Sequence, residues 1–252
     1  MIFYFSGTGN STFVAEHLAK AYNQEAVRVD EWLHAGRINF EAKPQESIGF
    51  VFPVYYFGLP HIVEQFLEEI SISFEHKPYI YYIATCGGQQ GRTVQRANAI
   101  LKKKGLELDA MFDLIMPDNY TRMYSVCDEQ KIMQINQQAI IELKKIMQQI
   151  EKEEKGNFTK TGRPGIISYP VRWFSQTFLT RTQGFHVEDQ CIHCALCERK
   201  CPVHAIELVE GKPVWKKKRC EMCLRCLHHC PKFAIQYGKQ TKVNGQYHHP
   251  VI

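Results

Sequence analysis

The chain has 252 residues, 44% hydrophobic and 23% charged, the composition of a globular protein too long for one small domain. No apolar run approaches the ~18 residues that span a bilayer. Met1–Phe5 lacks the basic start of a secretory leader, so a cytoplasmic location is expected, which also suits reduced thiols. Charge is unevenly divided: residues 1–150 carry 14 Lys/Arg against 17 Asp/Glu, while residues 186–252 carry 11 against 6.

A first strand is predicted at 2–5, followed by Ser6-Gly7-Thr8-Gly9-Asn10-Ser11-Thr12 and a helix with Val14, Leu18 and Tyr22 on one face. A glycine-rich turn between strand and helix aims backbone N–H groups and hydroxyls at an anion, and the helix dipole adds to the attraction. This is a phosphate loop. It has no Lys in the Walker position and Thr12 where a dinucleotide loop has its third Gly, which argues against nucleoside triphosphates and dinucleotides.

Residues 26–29 read as a short strand and 30–46 as irregular with a helical turn. Ile48–Phe52 is a continuous apolar run, the pattern of a strand covered on both faces. It ends in Pro53-Val54-Tyr55-Tyr56-Phe57-Gly58, before a helix over 61–70. A strand over 78–85 runs into Thr85-Cys86-Gly87-Gly88-Gln89, and a helix over 91–104 closes at Gly105. A strand over 110–116 leads to Pro117-Asp118-Asn119-Tyr120, and Asp128 is placed to cap a last helix reaching Ile150. Five strands alternating with helices predict a doubly wound parallel α/β sheet.

Glu151–Gly156 marks a boundary. The aromatics Tyr169, Trp173, Phe174 and Phe178 that follow are expected to dock the C-terminal part onto the sheet domain. The chain then divides into 1–155, a docking linker over 156–184, a cysteine-rich module over 185–238 and a tail over 239–252. That tail, with Tyr247-His248-His249-Pro250, is expected to fold over the module.

Two runs dominate the module: Cys191, Cys194, Cys197 and Cys201-Pro202, then Cys220, Cys223, Cys226 and Cys230-Pro231. Each reads C-x2-C-x2-C-x3-C-P, the ligand spacing of bacterial iron-sulfur clusters. Zinc would leave the third Cys of each run and both Cys-Pro steps unexplained, and disulfide frameworks belong to small secreted chains. The second run sits at a constant offset from the first, so each half is a loop, a helical turn and a short strand, with clusters in place of a core. Ala195 and Leu224 stand where glycine is common, a change of packing rather than ligation. Lys216-Lys217-Lys218-Arg219 abuts Cys220. It reads as a solvated charge run, as cations easing reduction of an anionic cluster, or as a surface for an acidic redox partner; nucleic acid is the weakest reading. The remaining thiols, Cys86 and Cys127, read as structural rather than reactive.

Together SGTGNST, PVYYFGLP, TCGG, PDNY and the two cysteine runs resemble the flavodoxin-ferredoxin fusion family of anaerobic bacteria, also known as EFR-type ferredoxins, over nearly the whole length. The resemblance implies a flavodoxin-like sheet in the order 2-1-3-4-5 with FMN at its switch point. It also implies a small C-terminal ferredoxin domain with two [4Fe-4S] clusters. Residues 6–11 would hold the phosphate, Tyr55, Tyr56, Phe57 or Tyr120 would stack on the isoalloxazine, and the 85–89 loop with Asn119 would meet its polar edge. In two-cluster ferredoxins the fourth Cys serves the other cluster, which implies Cys191, Cys194, Cys197 and Cys230 on one, and Cys220, Cys223, Cys226 and Cys201 on the other. One cluster is then expected to face the flavin. A low-potential electron carrier with a redox-protein partner is favoured over a ferredoxin-dependent reductase acting on a bound substrate, because no acid, base or substrate-anchoring pair stands beside the flavin loops and no second dinucleotide motif is present.

Overall fold

The computed structural model describes residues 1–162 and 173–250. Tyr169, expected above to help dock the module, lies outside the described residues, as does Gly165, where the sequence Gly162-Arg163-Pro164-Gly165 is expected to break any continuation of the sheet domain. The central sheet has the strands β1 (Ile2–Tyr4), β2 (Ala26–Arg28), β4 (Ile48–Pro53), β6 (Ile80–Cys86), β7 (Ala110–Ile115) and β8 (Gly156–Asn157) in the order β2-β1-β4-β6-β7-β8, every neighbouring pair parallel. The five predicted strands thus stand in the 2-1-3-4-5 order, and the sheet gains a short sixth. The segment 158–162 continues along that edge: Asp113 accepts from the N–H groups of Lys160 and Thr161, and Gly162 bridges Gly91. Sheet structure therefore runs past residue 155 into the stretch expected to be linker.

Both sheet faces are covered, which is why β4 and β6 read as unbroken apolar runs. On one face α2 (Val29–His34), α3 (His61–Glu69) and α4 (Thr93–Lys102) pack over Phe3, Phe50, Phe52 and Tyr82. On the other, α1 (Asn10–Tyr22) and α5 (Glu129–Glu151) pack over Ile2, Tyr4, Tyr81 and Ile83. Asp128 caps α5, its carboxylate accepting from Lys131 N–H at 2.8 Å. Helix α2 is the helical turn expected within 30–46. Strand β3 (Asn39–Ala42) in the same stretch escapes the sequence pattern, and it pairs in parallel with β5 (Ser71–Phe74) outside the main sheet. Both strands are four residues long, too short to show a period.

The cysteine-rich module consists of β9 (Phe185–Val187), α6 (Leu196–Arg199), the hairpin β10 (Ile206–Val209) with β11 (Lys212–Trp215), α7 (Arg225–His228) and β12 (Ile235–Tyr237), which pairs with β9. Helix α8 (Gln240–Asn244) opens the tail. The repeat extends to backbone conformation: left-handed residues His193, Ala195 and His204 of the first half recur as Met222, Leu224 and Phe233 of the second. Ala195 and Leu224 therefore do more than pack. They adopt φ of 59° and 53°, a conformation that costs a non-glycine residue roughly 1–2 kcal/mol and explains why glycine is common there.

Candidate cofactor cavities

Four loops at the carboxyl ends of the central strands surround one cavity of about 550 Å³, within the range of small-molecule cofactor sites. Ser6, Gly7, Thr8, Asn10 and Ser11 line one side; Pro53, Val54, Tyr55, Tyr56 and Phe57 a second; Thr85, Cys86, Gly87, Gly88 and Gln89 a third; Asn119 and Tyr120 a fourth. Two of the expected residues, Gly9 and Gly58, do not line it. Gly9 precedes α1 at φ 106°, where a side chain would be strained, and lets the chain turn into the helix. Gly58 closes a tight hairpin by exchanging two backbone hydrogen bonds with Tyr55. Its central residues Tyr56 and Phe57 adopt left-handed φ of 52° and 60°, as such hairpin turns demand, though neither is the usual Asn or Gly. The strain is stored where two aromatic rings are aimed into a cavity.

The phosphate loop is built for an anion without using a cation. Helix α1 has no acidic residue in its first turn and no side-chain cap, so the N–H groups of that turn lie outside the helical ladder. Thr8, 2% exposed, accepts from Asn119 Nδ2, and Ser11 Oγ lies 2.8 Å from Thr85 Oγ1. Among the described residues no Lys or Arg lines the cavity, and Asp118 is the one carboxylate that does. Amides and hydroxyls with no positive side chain fit one phosphate better than a triphosphate. Tyr56 and Tyr120 meet edge to face with hydroxyls 2.7 Å apart. Burial raises the Tyr56 hydroxyl above its ordinary value and pushes the Cys86 thiol up to about 12, so Cys86 is protonated and inert at neutral pH.

Sequence reasoning missed the far wall. Met222, Cys223 and Leu224, from the second cysteine run, and Ser175 and Leu179 close the same cavity. Nothing periodic signals a contact between residues as distant in sequence as Gly7 and Cys223.

Cys201, Cys220, Cys223 and Cys226 line a second, smaller cavity. Cys197 shares its electrostatic surroundings with Cys194 and Cys230. Burial raises the Cys197 thiol to about 11 and those of Cys220 and Cys223 to about 12, so metal would have to displace their protons. Among the described residues, no three His, Cys, Asp or Glu side chains converge on a position for one metal ion. Cys201, Cys220, Cys223 and Cys226 instead line the smaller cavity together.

Two residues between the cysteines of the second run hold this smaller cavity against the larger one. Glu221 accepts from the N–H groups of His61 and Ile62 at 2.9 and 3.0 Å, at the positive end of α3; burial raises its carboxyl to about 7. Arg225, 4% exposed, donates to Asp30 at 2.7 Å and to the Ser6 carbonyl, over the ring of Phe5. Burial works to raise the Asp30 carboxyl, but Arg225 and Arg28 outweigh it and hold the group below its ordinary value. The tail packs against the module as expected, Tyr247 N–H donating to His228 Nδ1 and Lys242 pairing with Glu188, and its end also reaches into the seam with the sheet domain. Gln246 donates to the Leu227 carbonyl, Tyr247 to Asn10 Oδ1, and His249 N–H to the Thr8 carbonyl. The linker aromatics expected to dock the module remain in water: Trp173 is 66%, Phe174 52% and Phe178 40% exposed. Ionic and backbone contacts from within the cysteine run do that work instead.

Comparison with known proteins agrees with this division. A family model described as a flavodoxin domain matches residues 1–144, and one described as a 4Fe-4S dicluster domain matches residues 184–240. An uncharacterized protein of Methanocaldococcus jannaschii is 36% identical over 55 residues, 22% of this chain and 21% of that protein. The chain thus spans about a fifth of the relative it matches.

Proposed function

Because the chain belongs to the flavodoxin-domain family and carries a 4Fe-4S dicluster domain, an iron-sulfur flavoprotein of electron transfer, we propose that it holds FMN and two [4Fe-4S] clusters and acts as a cytoplasmic low-potential electron carrier. Residues 6–11 would hold the FMN phosphate, with Tyr56, Phe57 and Tyr120 against the ring and the 85–89 loop at its polar edge. One cluster falls to Cys191, Cys194, Cys197 and Cys230, the other to Cys201, Cys220, Cys223 and Cys226. Clusters supply single electrons, and a flavin holds one or two.

The observation that carries this reading is a shared wall. Cys223 and Leu224 line both the thiol cavity and the flavin cavity. A Cβ on Gly7 would lie 2.7 Å from the Cys223 carbonyl oxygen and 2.9 Å from the Tyr55 hydroxyl, so phosphate loop, aromatic loop and cysteine loop are in contact. A reductase acting on a bound substrate is the less favoured reading: among the described residues the lining offers no His, Glu, Lys or Arg to move a proton. The test is cofactor analysis of anaerobically purified protein. About eight iron, eight sulfide and one FMN per chain are expected, with FMN bound more tightly than FAD. Stoichiometric zinc, or tighter binding of FAD, would overturn the assignment.

A further inference from the structure

Outside these cavities, a groove runs along β11 and the 182–187 segment. Its floor is formed by Phe185 and Trp215, stacked with centroids 4.7 Å apart and planes 2° from parallel. Its rim carries Lys212, Lys216, Lys217 and Lys218, all exposed. Phe185 and Trp215 also line the thiol cavity of Cys201, Cys220, Cys223 and Cys226 from its other side. Three cavities are therefore joined in series: the groove shares the two aromatic rings with the thiol cavity, which shares Cys223 and Leu224 with the flavin cavity.

We propose that this groove is the docking surface for an acidic redox protein, which exchanges electrons with the chain across the Phe185–Trp215 layer. This rests on the reading of the four thiols as cluster ligands. Each encounter moves one electron: the donor is oxidised by one, the acceptor reduced by one, and no bond forms or breaks. Tunnelling falls steeply with distance, and a partner resting on the groove floor is one layer of side chains from the thiol cavity. Charge fits the same partner. Lys216 is paired with Glu207, and Lys217 donates to the Val203 carbonyl; Lys212 and Lys218 stand at the rim to meet incoming carboxylates. The basic module also opposes a sheet domain of net negative charge, so an acidic partner is steered to the module and away from the rest of the surface. An apolar floor inside a charged rim has the anatomy of a protein interface. Nucleic acid would be drawn to the same lysines but has no use for a floor backed by thiols.

The test is anaerobic calorimetric titration of the full-length holoprotein with an acidic plant-type [2Fe-2S] ferredoxin at low ionic strength. Charge reversal at Lys212→Glu with Lys218→Glu should weaken binding about tenfold or more, and Lys212→Gln with Lys218→Gln should weaken it less in the same direction. Lys20→Glu with Lys144→Glu, an equal charge change on α1 and α5, should alter it less than about twofold. Undetectable binding to the native protein, or equal weakening by both charge reversals, would overturn the docking surface. So would a short DNA duplex that binds more tightly than the ferredoxin and is lost in the Lys212/Lys218 variants. Iron and flavin content measured on each sample separates the two readings: absent iron removes the cluster assignment, whereas full iron with unchanged affinity removes only the port.

Discussion

The two halves of this molecule are held by different forces. The sheet domain buries Phe3, Phe5, Phe50, Phe52, Phe66, Tyr81 and Tyr82 at 0% exposure, a core that hydrophobic burial alone can sustain. The module has only small apolar groups, Met222, Leu224, Leu227 and Ile235 in one and Cys201, Ala205 and Ile206 in the other. Its left-handed residues and buried thiols add cost. A region so short of apolar surface must gain its stability from ligation, and it meets its neighbour through buried charge and hydrogen bonds as well as through apolar contacts such as Val203 against the sheet core and Tyr120 against Leu224 and its neighbours.

The largest effect that would separate the halves is removal of iron. Chelation should abolish slow amide exchange in residues 184–240 while the central strands keep theirs. Equal loss in both halves would show that the sheet domain depends on the clusters too. Next is the seam. Arg225→Met leaves Asp30, 3% exposed, without its buried partner, at a cost of roughly 3 kcal/mol in denaturant unfolding; Arg28, which also pairs with Asp30, limits the loss. Adding Asp30→Leu should restore much of it, because no buried charge is then left alone. If the double variant is as unstable as the single one, the pair is not what fixes the seam. A smaller effect is expected from Gly7→Ala. The new methyl must push the Cys223 carbonyl away, an overpacking cost of about 1–3 kcal/mol, and flavin should dissociate faster while iron content holds. Unchanged flavin release would mean that the two loops are not in contact in solution. Smallest is Asp128→Ala, which removes the α5 cap for about 1 kcal/mol. It should lower thermal stability of the sheet domain and leave both cofactors bound.

Much of the sheet domain was legible because its signals are local. Apolar runs at 48–52 and 78–85, the glycine turn at 6–12 and the cap at Asp128 each depend on neighbours in sequence. Strands β3, β5 and β8 were not legible, since two to four residues carry no period. In the candidate site, the four loops follow from the strand order, but that Gly9 and Gly58 stand off the cavity lining does not, because a glycine in a turn gives no sign of whether it faces a cavity or shapes the bend. The linker aromatics misled for a related reason: Trp173, Phe174 and Phe178 announce apolar surface, and hydrophobicity does not say which surface is covered.

By itself the sequence determined the fold class, the phosphate loop and the two cysteine runs, because chain connectivity and ligand spacing are local constraints. Only the tertiary structure decided that the second run, through Cys223 and Leu224, closes the flavin cavity, and that Glu221, Arg225 and the tail hold it there. Those contacts join distant positions, Tyr247 and Asn10 for example being 237 apart. Single carboxylates and guanidinium groups, which look like ordinary surface charges in a sequence, become specific once burial removes the water that would otherwise pair with them.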